Sequence, residues 1–211
     1  AASDVYKRQE SFMDELAVKA GVDPVEFRLR HLQDPRARAV IEAAASRANW
    51  QPRAKGDGTR GRGIGFAKYK NLATYCAVIA DVVVDRRTGS VRVTKAVAAV
   101  DSGLIVNPDG LTNQIEGGVI QSTSWTLKES VRYDSRRVQT RSWADYPILT
   151  FAEVPAVDVV LLNRTDEKSL GAGEGSQGPT VAAIANAVAN ATGVRIRELP
   201  FTPDRVKSAL A

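Results

Sequence analysis

Cysteine and histidine are almost missing from this chain of 211 residues, which contains one of each. The single cysteine, Cys76, excludes an internal disulfide, and Cys76 with His31 is too small a ligand set for a structural zinc site or an iron–sulfur cluster. His31 lies in an amphipathic stretch, where a surface or half-buried histidine is far more common than a catalytic one. We therefore expect no metal ligands directly from protein side chains, so any metal must arrive with its own organic ligands.

Long apolar runs are missing too. No stretch approaches the roughly 18 consecutive apolar residues that a membrane helix requires, so we expect no membrane insertion by this chain. The hydrophobic share of 44% and the charged share of 25% are close to those of ordinary globular proteins. The net charge of +5 raises the question of nucleic acid, but the basic residues are spread along the sequence and are densest over residues 53–70.

The chain divides by composition and periodicity into four segments. Its first residues lack the apolar core of a signal peptide and fit poorly with the rest of the sequence, so we expect a non-native or disordered leader. A helical period then gives way to polar residues, and after them to the period of a β-strand. The expected segments are the leader over residues 1–9, a helical lead-in over 10–50, a loop over 51–61 and an α+β domain over 62–211.

Helix signals define the lead-in. Phe12, Leu16 and Val18 begin the apolar face of a first helix. Asp23-Pro24 and Asp34-Pro35 each supply a capping residue followed by proline at the first helical position. We therefore expect three helices before residue 50.

Strands and helices are mixed in the remaining part of the chain. Strands are predicted over Ile64–Tyr69, Tyr75–Val84, Val91–Val100 and Val157–Leu162, with another near Val131. Helices are predicted over Asp109–Lys128 and Pro179–Thr192, and a short one from Pro203. This pattern predicts the α+β class, with a helical lead-in, a mixed β-sheet and long packed helices.

The first long helix carries two interior glycines, Gly117 and Gly118. Each costs about 1 kcal/mol relative to alanine, so some other interaction should compensate. Gln114, Gly118 and Gln121 share one face, where two amides flank a notch that a ligand or another backbone can approach closely. Close packing of the helix on a strand, with the glutamines at the surface, explains the same glycines, and periodicity alone does not decide between the two interpretations.

A second glycine-rich stretch stands directly before the last long helix. Gly171, Gly173 and Gly175 permit unusual backbone angles and expose N–H groups, which makes a suitable cradle for a polar or anionic cofactor group. The dinucleotide-binding fingerprint fails because Ser176 stands where a glycine is required. The glycines frame one carboxylate, Glu174, which is either a reactive group or a partner of the helix N-terminus.

Residues 62–69 nearly match an RNA-recognition motif. Ile64 stands where an aromatic residue would stack on a base, and the helices predicted upstream do not fit that small fold. An RNA- or ligand-binding module that uses the basic segment 53–70 is therefore kept as an alternative function.

Four segments resemble, in order and spacing, the second molybdenum-cofactor domain of the xanthine dehydrogenase and aldehyde oxidase family. They are Glu10–Ala17 with Asp23–Arg28, Val100–Gly110, Asn113–Gln121 and Gly171–Glu174. The resemblance covers about residues 10–210 and is nearest to bacterial subunits of nicotinate and isoquinoline oxidoreductases. The chain looks like the C-terminal part of the large, molybdopterin-binding subunit, inactive as an isolated fragment.

The resemblance implies a chemical role for the two constellations. Gln114 would hydrogen-bond the pterin of the molybdenum cofactor, and Glu174 would be the general base when an aldehyde or N-heteroaromatic carbon is hydroxylated with water as the oxygen source. The expected cofactor-binding residues are Gln114, Gly117, Gly118, Gln121, Gly171, Gly173 and Gly175.

The resemblance also implies partners. The upstream half of the same subunit would complete the cofactor site, an iron–sulfur subunit or domain would carry 2Fe-2S clusters, and an FAD or cytochrome (haem) subunit is a further candidate. A small-molecule substrate is expected and nucleic acid is not, with the enzyme in the cytoplasm or the periplasm. A degenerate domain without catalysis is the remaining alternative.

Overall fold

A four-stranded sheet with helices on both faces is the centre of the molecule. The computed structural model describes residues 2–52 and 55–211. The helices are α1 (Ala2–Lys19), α2 (Pro24–His31), α3 (Pro35–Arg47), α4 (Pro108–Leu127), α5 (Gln177–Thr192) and α6 (Pro203–Leu210). The strands are β1 (Arg60–Lys68), β2 (Tyr75–Val84), β3 (Val91–Asp101) and β4 (Ala156–Leu161), and short 3₁₀ turns cover Tyr69–Asn71 and Phe151–Glu153.

The sheet is mixed and has the order β1-β2-β3-β4. The first three strands are antiparallel neighbours, whereas β4 returns beside β3 in the parallel direction after the chain has passed through α4. The hairpin between β2 and β3 contains Gly89, whose φ of 78° is a left-handed conformation that glycine adopts without a steric penalty. The predicted α+β class and mixed sheet are confirmed.

Helices cover both faces of the sheet, so both faces are buried. Alternate residues of β2 therefore point into two different cores. Val78 and Ala80 belong to the core that β2 and β3 form with α4 and α5. Ala77 and Ile79 belong to a second core, formed with α3, so the helical lead-in shares its core with the sheet. Cys76 is fully buried on the first face, and burial raises the pKa of its thiol to about 12, which makes it a packing residue.

Three glycines allow α5 to lie directly on the backbone of β1. A Cβ atom at Gly61, Gly63 or Gly65 would come within 2.3, 2.2 and 2.3 Å, respectively, of a backbone atom of α5. Glycine is therefore required at these positions, and α5 is buried along most of its length. Among the described residues, no helix is both long enough and apolar enough to cross a membrane.

This packing explains the segment that nearly matches an RNA-recognition motif. Phe66 is partly buried and packs against the core beneath α3, so its ring is not a free stacking surface. Arg62 pairs with Asp81 at 2.5 Å, and Lys68 lies 3.7 Å from the Asp34 carboxylate. Arg53 and Ala54, at the start of the basic segment, lie outside the described residues. Phe66, Arg62 and Lys68 thus serve packing and internal ion pairs, which gives the RNA-binding alternative no support.

The buried face of α1 is polar, which differs from the prediction. Phe12 and Val18, expected to begin an apolar face, are 58% and 70% exposed. The helix instead buries Glu10, which pairs with the guanidinium of Arg28 on α2 at 2.9 Å and also accepts the backbone N–H of Phe66 at 2.9 Å. A buried carboxylate is tolerated here because both charges are paired and hydrogen-bonded.

The beginning of α1 also differs from the prediction. We expected a non-native or disordered leader over residues 1–9. The helix runs without a break over Ala2–Lys19, so residues 2–9 are helical and not disordered. Neither glycine nor proline interrupts the chain between these residues, so helical hydrogen bonding continues through them. A non-native origin of the leader remains a prediction, and Ala1 lies outside the described residues.

Two strand predictions need correction. β1 begins at Arg60, inside the expected loop over 51–61, because Gly61 already packs on α5. The strand expected near Val131 does not form: in the described structure this region has an isolated bridge between Tyr133 and Val138. The residues around it are exposed, so no buried face holds them in a longer ladder.

Candidate functional site

The glycine-rich loop, residues 171–176, leads into α5 and lies against the first half of α4. The side-chain amide of Gln114 donates a hydrogen bond to the carbonyl of Gly173 at 2.7 Å. Further along the same contact, the Ser176 hydroxyl donates to the carbonyl of Ile115 at 3.1 Å. The two constellations that the sequence suggested separately, on α4 and in the loop, are therefore one site.

Glu174 stands at the surface of this site with its carboxylate held from one side. The phenol of Tyr69, in the turn after β1, donates a hydrogen bond to Oε2 of Glu174, and this bond raises the pKa of the Tyr69 phenol. Ser176 is the N-cap residue of α5, and no side-chain capping bond is formed there. The interpretation of Glu174 as a capping carboxylate therefore has no support in the described contacts.

The notch at Gly118 is filled by another part of the same chain. The residue is buried, and a Cβ atom there would lie 2.2 Å from Oγ of Ser176. The space above Gly118 is occupied by the glycine-rich loop itself. Another segment of the chain therefore approaches the helix closely at Gly118, as the notch interpretation allowed, and that segment is the loop and not a strand. A role of Gly118 in cofactor binding stays a prediction.

Three other glycines have free space above them. A Cβ atom at Gly117, Gly171 or Gly173 would meet nothing within 4 Å, and none of the three has a positive φ. Neither packing within this chain nor backbone conformation therefore requires glycine at these positions. They lie in the same region as the Gln114 amide, so a flat polar group such as a pterin can approach the backbone closely there. The surface fits such a group.

The remaining predicted residues lie at the edge of the same surface. Gln121 is exposed one helical turn beyond Gly117, and its side-chain oxygen accepts a hydrogen bond from Gln177 at 2.9 Å. Gly175 is buried, and a Cβ there would lie 3.1 Å from a methyl group of Thr74. Among the predicted glycines, Gly175 and Gly118 thus serve the packing of the loop, while the others remain open.

Paired glycines on α4 provide a test of this packing. Gly118→Ala is expected to lower the free energy of unfolding by about 1–3 kcal/mol, because the new methyl group must displace the Ser176 hydroxyl. Gly117→Ala is the matched control, expected to add about 0.5–1 kcal/mol, since the same gain in helix propensity comes without a clash.

The measurement is denaturant unfolding of each variant. Ser176→Ala in the Gly118→Ala background is expected to restore most of the loss, since the next Ser176 atom lies 3.6 Å from the position of the new methyl group. Equal effects of the two glycine substitutions would contradict the contact between the loop and Gly118.

Sequence reasoning missed two residues of the site, Tyr69 and Thr74. Tyr69 was assigned to the end of a predicted strand, and its hydroxyl contact with Glu174 spans 105 positions in the sequence. Thr74 is buried and donates its hydroxyl to the carbonyl of Gly171 at 2.8 Å. Two features of the sequence could have indicated these residues. One is the short turn over residues 70–74 between two predicted strands, and the other is the tyrosine directly before it.

Comparison with known proteins places the chain in a family. The profile described as "Molybdopterin cofactor-binding domain" matches residues 2–155. The chain is 51% identical to a nicotinate dehydrogenase subunit of Pseudomonas putida over 95% of its length, and 35% identical to the beta subunit of isoquinoline 1-oxidoreductase of Brevundimonas diminuta over 92%. It spans 18% and 25% of the length of these two relatives.

A solved structure supports the same assignment at the level of the fold. The aldehyde oxidoreductase of Desulfovibrio gigas superposes on 99% of this chain with a TM-score of 0.80 and 18% sequence identity, and the match covers 41% of that protein. Because the profile covers most of the chain and the first two relatives cover nearly all of it, the resemblance noted in the sequence is confirmed. The chain therefore belongs to the molybdopterin cofactor-binding domain family.

Proposed function

We propose that this chain forms the catalytic C-terminal part of a molybdenum hydroxylase subunit, with Glu174 as its general base. The observation that carries the proposal is the position of the Glu174 carboxylate, exposed beside the Gln114 amide and three glycines with free space above them. A general base needs a carboxylate that a substrate can reach, and this one is neither buried in an ion pair nor used as a helix cap.

The chain's own residues would hold the cofactor mainly by shape and by hydrogen bonds. Gln114 presents its side-chain oxygen as an acceptor while its N–H₂ group is fixed on Gly173, and the open glycines admit a flat ring to the backbone. The bound cofactor would supply the oxidising centre and the activated oxygen, which fits a chain that needs no metal ligands of its own. Glu174 would accept the proton that is released when the new carbon–oxygen bond forms.

The other side of the site would come from the rest of a longer subunit. This chain covers only 18% and 25% of the length of its two relatives. In addition, the described surface carries large apolar side chains that the rest of the chain mostly leaves exposed. The most exposed are Phe151 at 100%, Val106 at 82%, Trp143 at 80% and Tyr133 at 78%. Apolar side chains of this size are normally buried against other protein, so we assign them to contacts with the upstream half or with a partner subunit.

An N-heteroaromatic compound is the proposed substrate class. The relatives at 51% and 35% identity are named for nicotinate and isoquinoline, both of which contain a ring nitrogen, and an aldehyde is the second candidate. Electrons would leave through iron–sulfur clusters on a partner chain or domain, with an FAD or haem protein beyond them. These partners follow from the family and not from contacts within this chain.

The proposal is tested by cofactor content. The intact subunit is expected to contain molybdenum and pterin in equal amounts close to one per chain, whereas the isolated 211-residue chain should retain neither, since it offers one side of the site. Gln114→Ala in the intact subunit is expected to lower molybdenum content about 10-fold or more.

Gln139→Ala is the matched control, because Gln139 bonds Asp134 in the segment after α4, away from the loop. Molybdenum is measured by elemental analysis and pterin by fluorescence after oxidation. A Gln114 variant with full occupancy, or stoichiometric molybdenum in the isolated chain, would refute the proposed cofactor site.

A further inference from the structure

We propose that Tyr69 is a positioning residue, whose phenol orients the Glu174 carboxylate so that one oxygen faces the reacting substrate. The inference rests on the proposed function, because it assigns a role to the neighbour of the proposed base. It starts from three observations: the contact of Tyr69 with a single carboxylate oxygen, the way the turn that carries Tyr69 is tied to the glycine loop, and the backbone conformation of that turn.

The phenol engages one oxygen of Glu174 and leaves the other free. Tyr69 donates to Oε2, and among the described residues Oε1 has no hydrogen-bond partner. A carboxylate with one fixed oxygen is restricted in rotation, so its second oxygen points in a defined direction. Because the general-base step requires close approach along that direction, a fixed carboxylate loses less freedom in the transition state than a mobile one.

The turn that carries Tyr69 is attached to the loop that carries Glu174. Thr74 donates both its backbone N–H, at 3.3 Å, and its hydroxyl, at 2.8 Å, to the carbonyl of Gly171. Tyr69 and Thr74 are in turn joined by a backbone hydrogen bond of 2.9 Å. The backbone segments that carry Tyr69 and Glu174 are therefore held next to each other, which limits how far the phenol and the carboxylate can separate.

The backbone of the turn is in an unfavourable conformation. Lys70 and Asn71, directly after Tyr69, have φ angles of 51° and 58°, in the left-handed region that residues with a Cβ avoid. Asparagine adopts this conformation readily, so the strain lies at Lys70, where it costs roughly 1 kcal/mol or more.

A second tyrosine–glutamate pair in the chain provides a matched control. The phenol of Tyr146 donates to Oε2 of Glu129 at 2.8 Å, and this bond raises the pKa of Tyr146 as the bond to Glu174 raises that of Tyr69. Glu129 follows the C-terminal end of α4, whereas Gln114 lies in its first half, about 20 Å away at the rise of an α-helix. Tyr146→Phe thus removes the same kind of tyrosine–glutamate hydrogen bond at a position distant from Gln114.

The first experiment compares Tyr69→Phe with Tyr146→Phe in the intact, cofactor-loaded subunit. Tyr69→Phe is expected to lower kcat by about 10- to 100-fold with KM, molybdenum content and melting temperature unchanged. Tyr146→Phe is expected to leave kcat unchanged. An unchanged kcat in Tyr69→Phe would overturn the proposal, and so would a rise in KM with constant kcat, since that pattern indicates a residue that binds substrate directly.

The second experiment does not depend on turnover. Fluorotyrosine is incorporated at position 69 of the intact subunit, and its phenol is titrated by fluorine NMR with Glu174 and with Glu174→Gln. The phenol pKa is expected to fall in the variant, because a neutral amide holds the phenol proton less strongly than a carboxylate. An unchanged phenol pKa would overturn the inference even if Glu174→Gln is inactive. If Glu174→Gln stays active, the proposed function fails, whatever the titration shows.

Discussion

Glu174→Gln in the intact subunit is expected to abolish turnover while the fold and the cofactor content stay as in the wild type. The amide is nearly the same size as the carboxylate and can still accept the Tyr69 hydrogen bond, so the loop should keep its position. It cannot take up the substrate proton at neutral pH. Only the proton-transfer step is removed, and a positioned base contributes on the order of 10² to 10⁴ in rate. The loss should appear in kcat.

The alternative role for Glu174 predicts a different result. A carboxylate that only favours the N-terminus of α5 would contribute about 0.3–1 kcal/mol to stability, and its loss would leave catalysis near normal. Steady-state kinetics, molybdenum content and melting temperature therefore separate the two roles. Activity within about tenfold of the wild type, a barrier change of about 1.4 kcal/mol, would return Glu174 to a structural role.

Glu129→Gln is the control for this substitution. Glu129 also accepts a hydrogen bond from a tyrosine, and it follows the C-terminal end of α4, whereas Gln114 lies in the first half of that helix. The same chemical change there is expected to leave kcat and molybdenum content unchanged. A loss of activity in both variants would point to a general effect on the fold instead of the removal of one proton acceptor.

Local sequence signals predicted the regular elements well. Asp23 and Asp34 stand before prolines and cap α2 and α3 through their side chains, as expected for helix starts of this composition. β2 has the predicted bounds, and its apolar run is nearly continuous because both of its faces are buried. Where burial and capping act within a few residues, the sequence carries enough information to locate an element.

Contacts between distant segments were not predictable in the same way. Gly118 is a glycine because Ser176 occupies the space above it, and no pattern within α4 records that contact. Tyr69 likewise reaches Glu174 from a distant part of the sequence. The polar face of α1 was also missed, since the burial of Glu10 depends on Arg28 in another helix. The resemblance located Gln114 and Glu174, and the structure added the contacts that hold them.

Asp101 connects the site to the rest of the fold. It ends β3 and is fully buried, with Arg36 of α3 at 2.5 Å and Arg164 at 3.1 Å from its oxygens. It also accepts the backbone N–H of Gly103 at 3.0 Å. The next residue along the chain, Ser102, accepts the N–H of Leu170 at 2.7 Å, directly before the glycine loop. The position of that loop thus depends on a buried carboxylate.

Asp101→Asn is expected to lower the free energy of unfolding by about 2–3 kcal/mol at pH 7, because the buried side chain loses the charge that pairs with Arg36 and Arg164. Among the described carboxylates, Arg36 keeps only the more distant Glu167, at 3.4 Å. Asp158→Asn is the matched control: Asp158 on β4 pairs with Arg47, also from α3, but that arginine is 59% exposed. A surface pair of this kind contributes about 1 kcal/mol or less. Equal losses in the two variants would contradict a special role of Asp101.

The loss in Asp101→Asn should depend on pH in a defined direction. Burial alone would raise the pKa of Asp101, but hydrogen bonds from Arg36, Gly103 and Arg164 outweigh it and hold the pKa below its ordinary value. A carboxyl group with a lowered folded-state pKa stabilises the fold fully above its unfolded pKa of about 4, and this contribution disappears as the pH falls through the folded value. Urea unfolding of wild type and variant between neutral and acid pH should therefore show a constant difference down to about pH 4 and a shrinking one below it. A difference that does not shrink in acid would mean that the arginines are held by something other than the charge of Asp101.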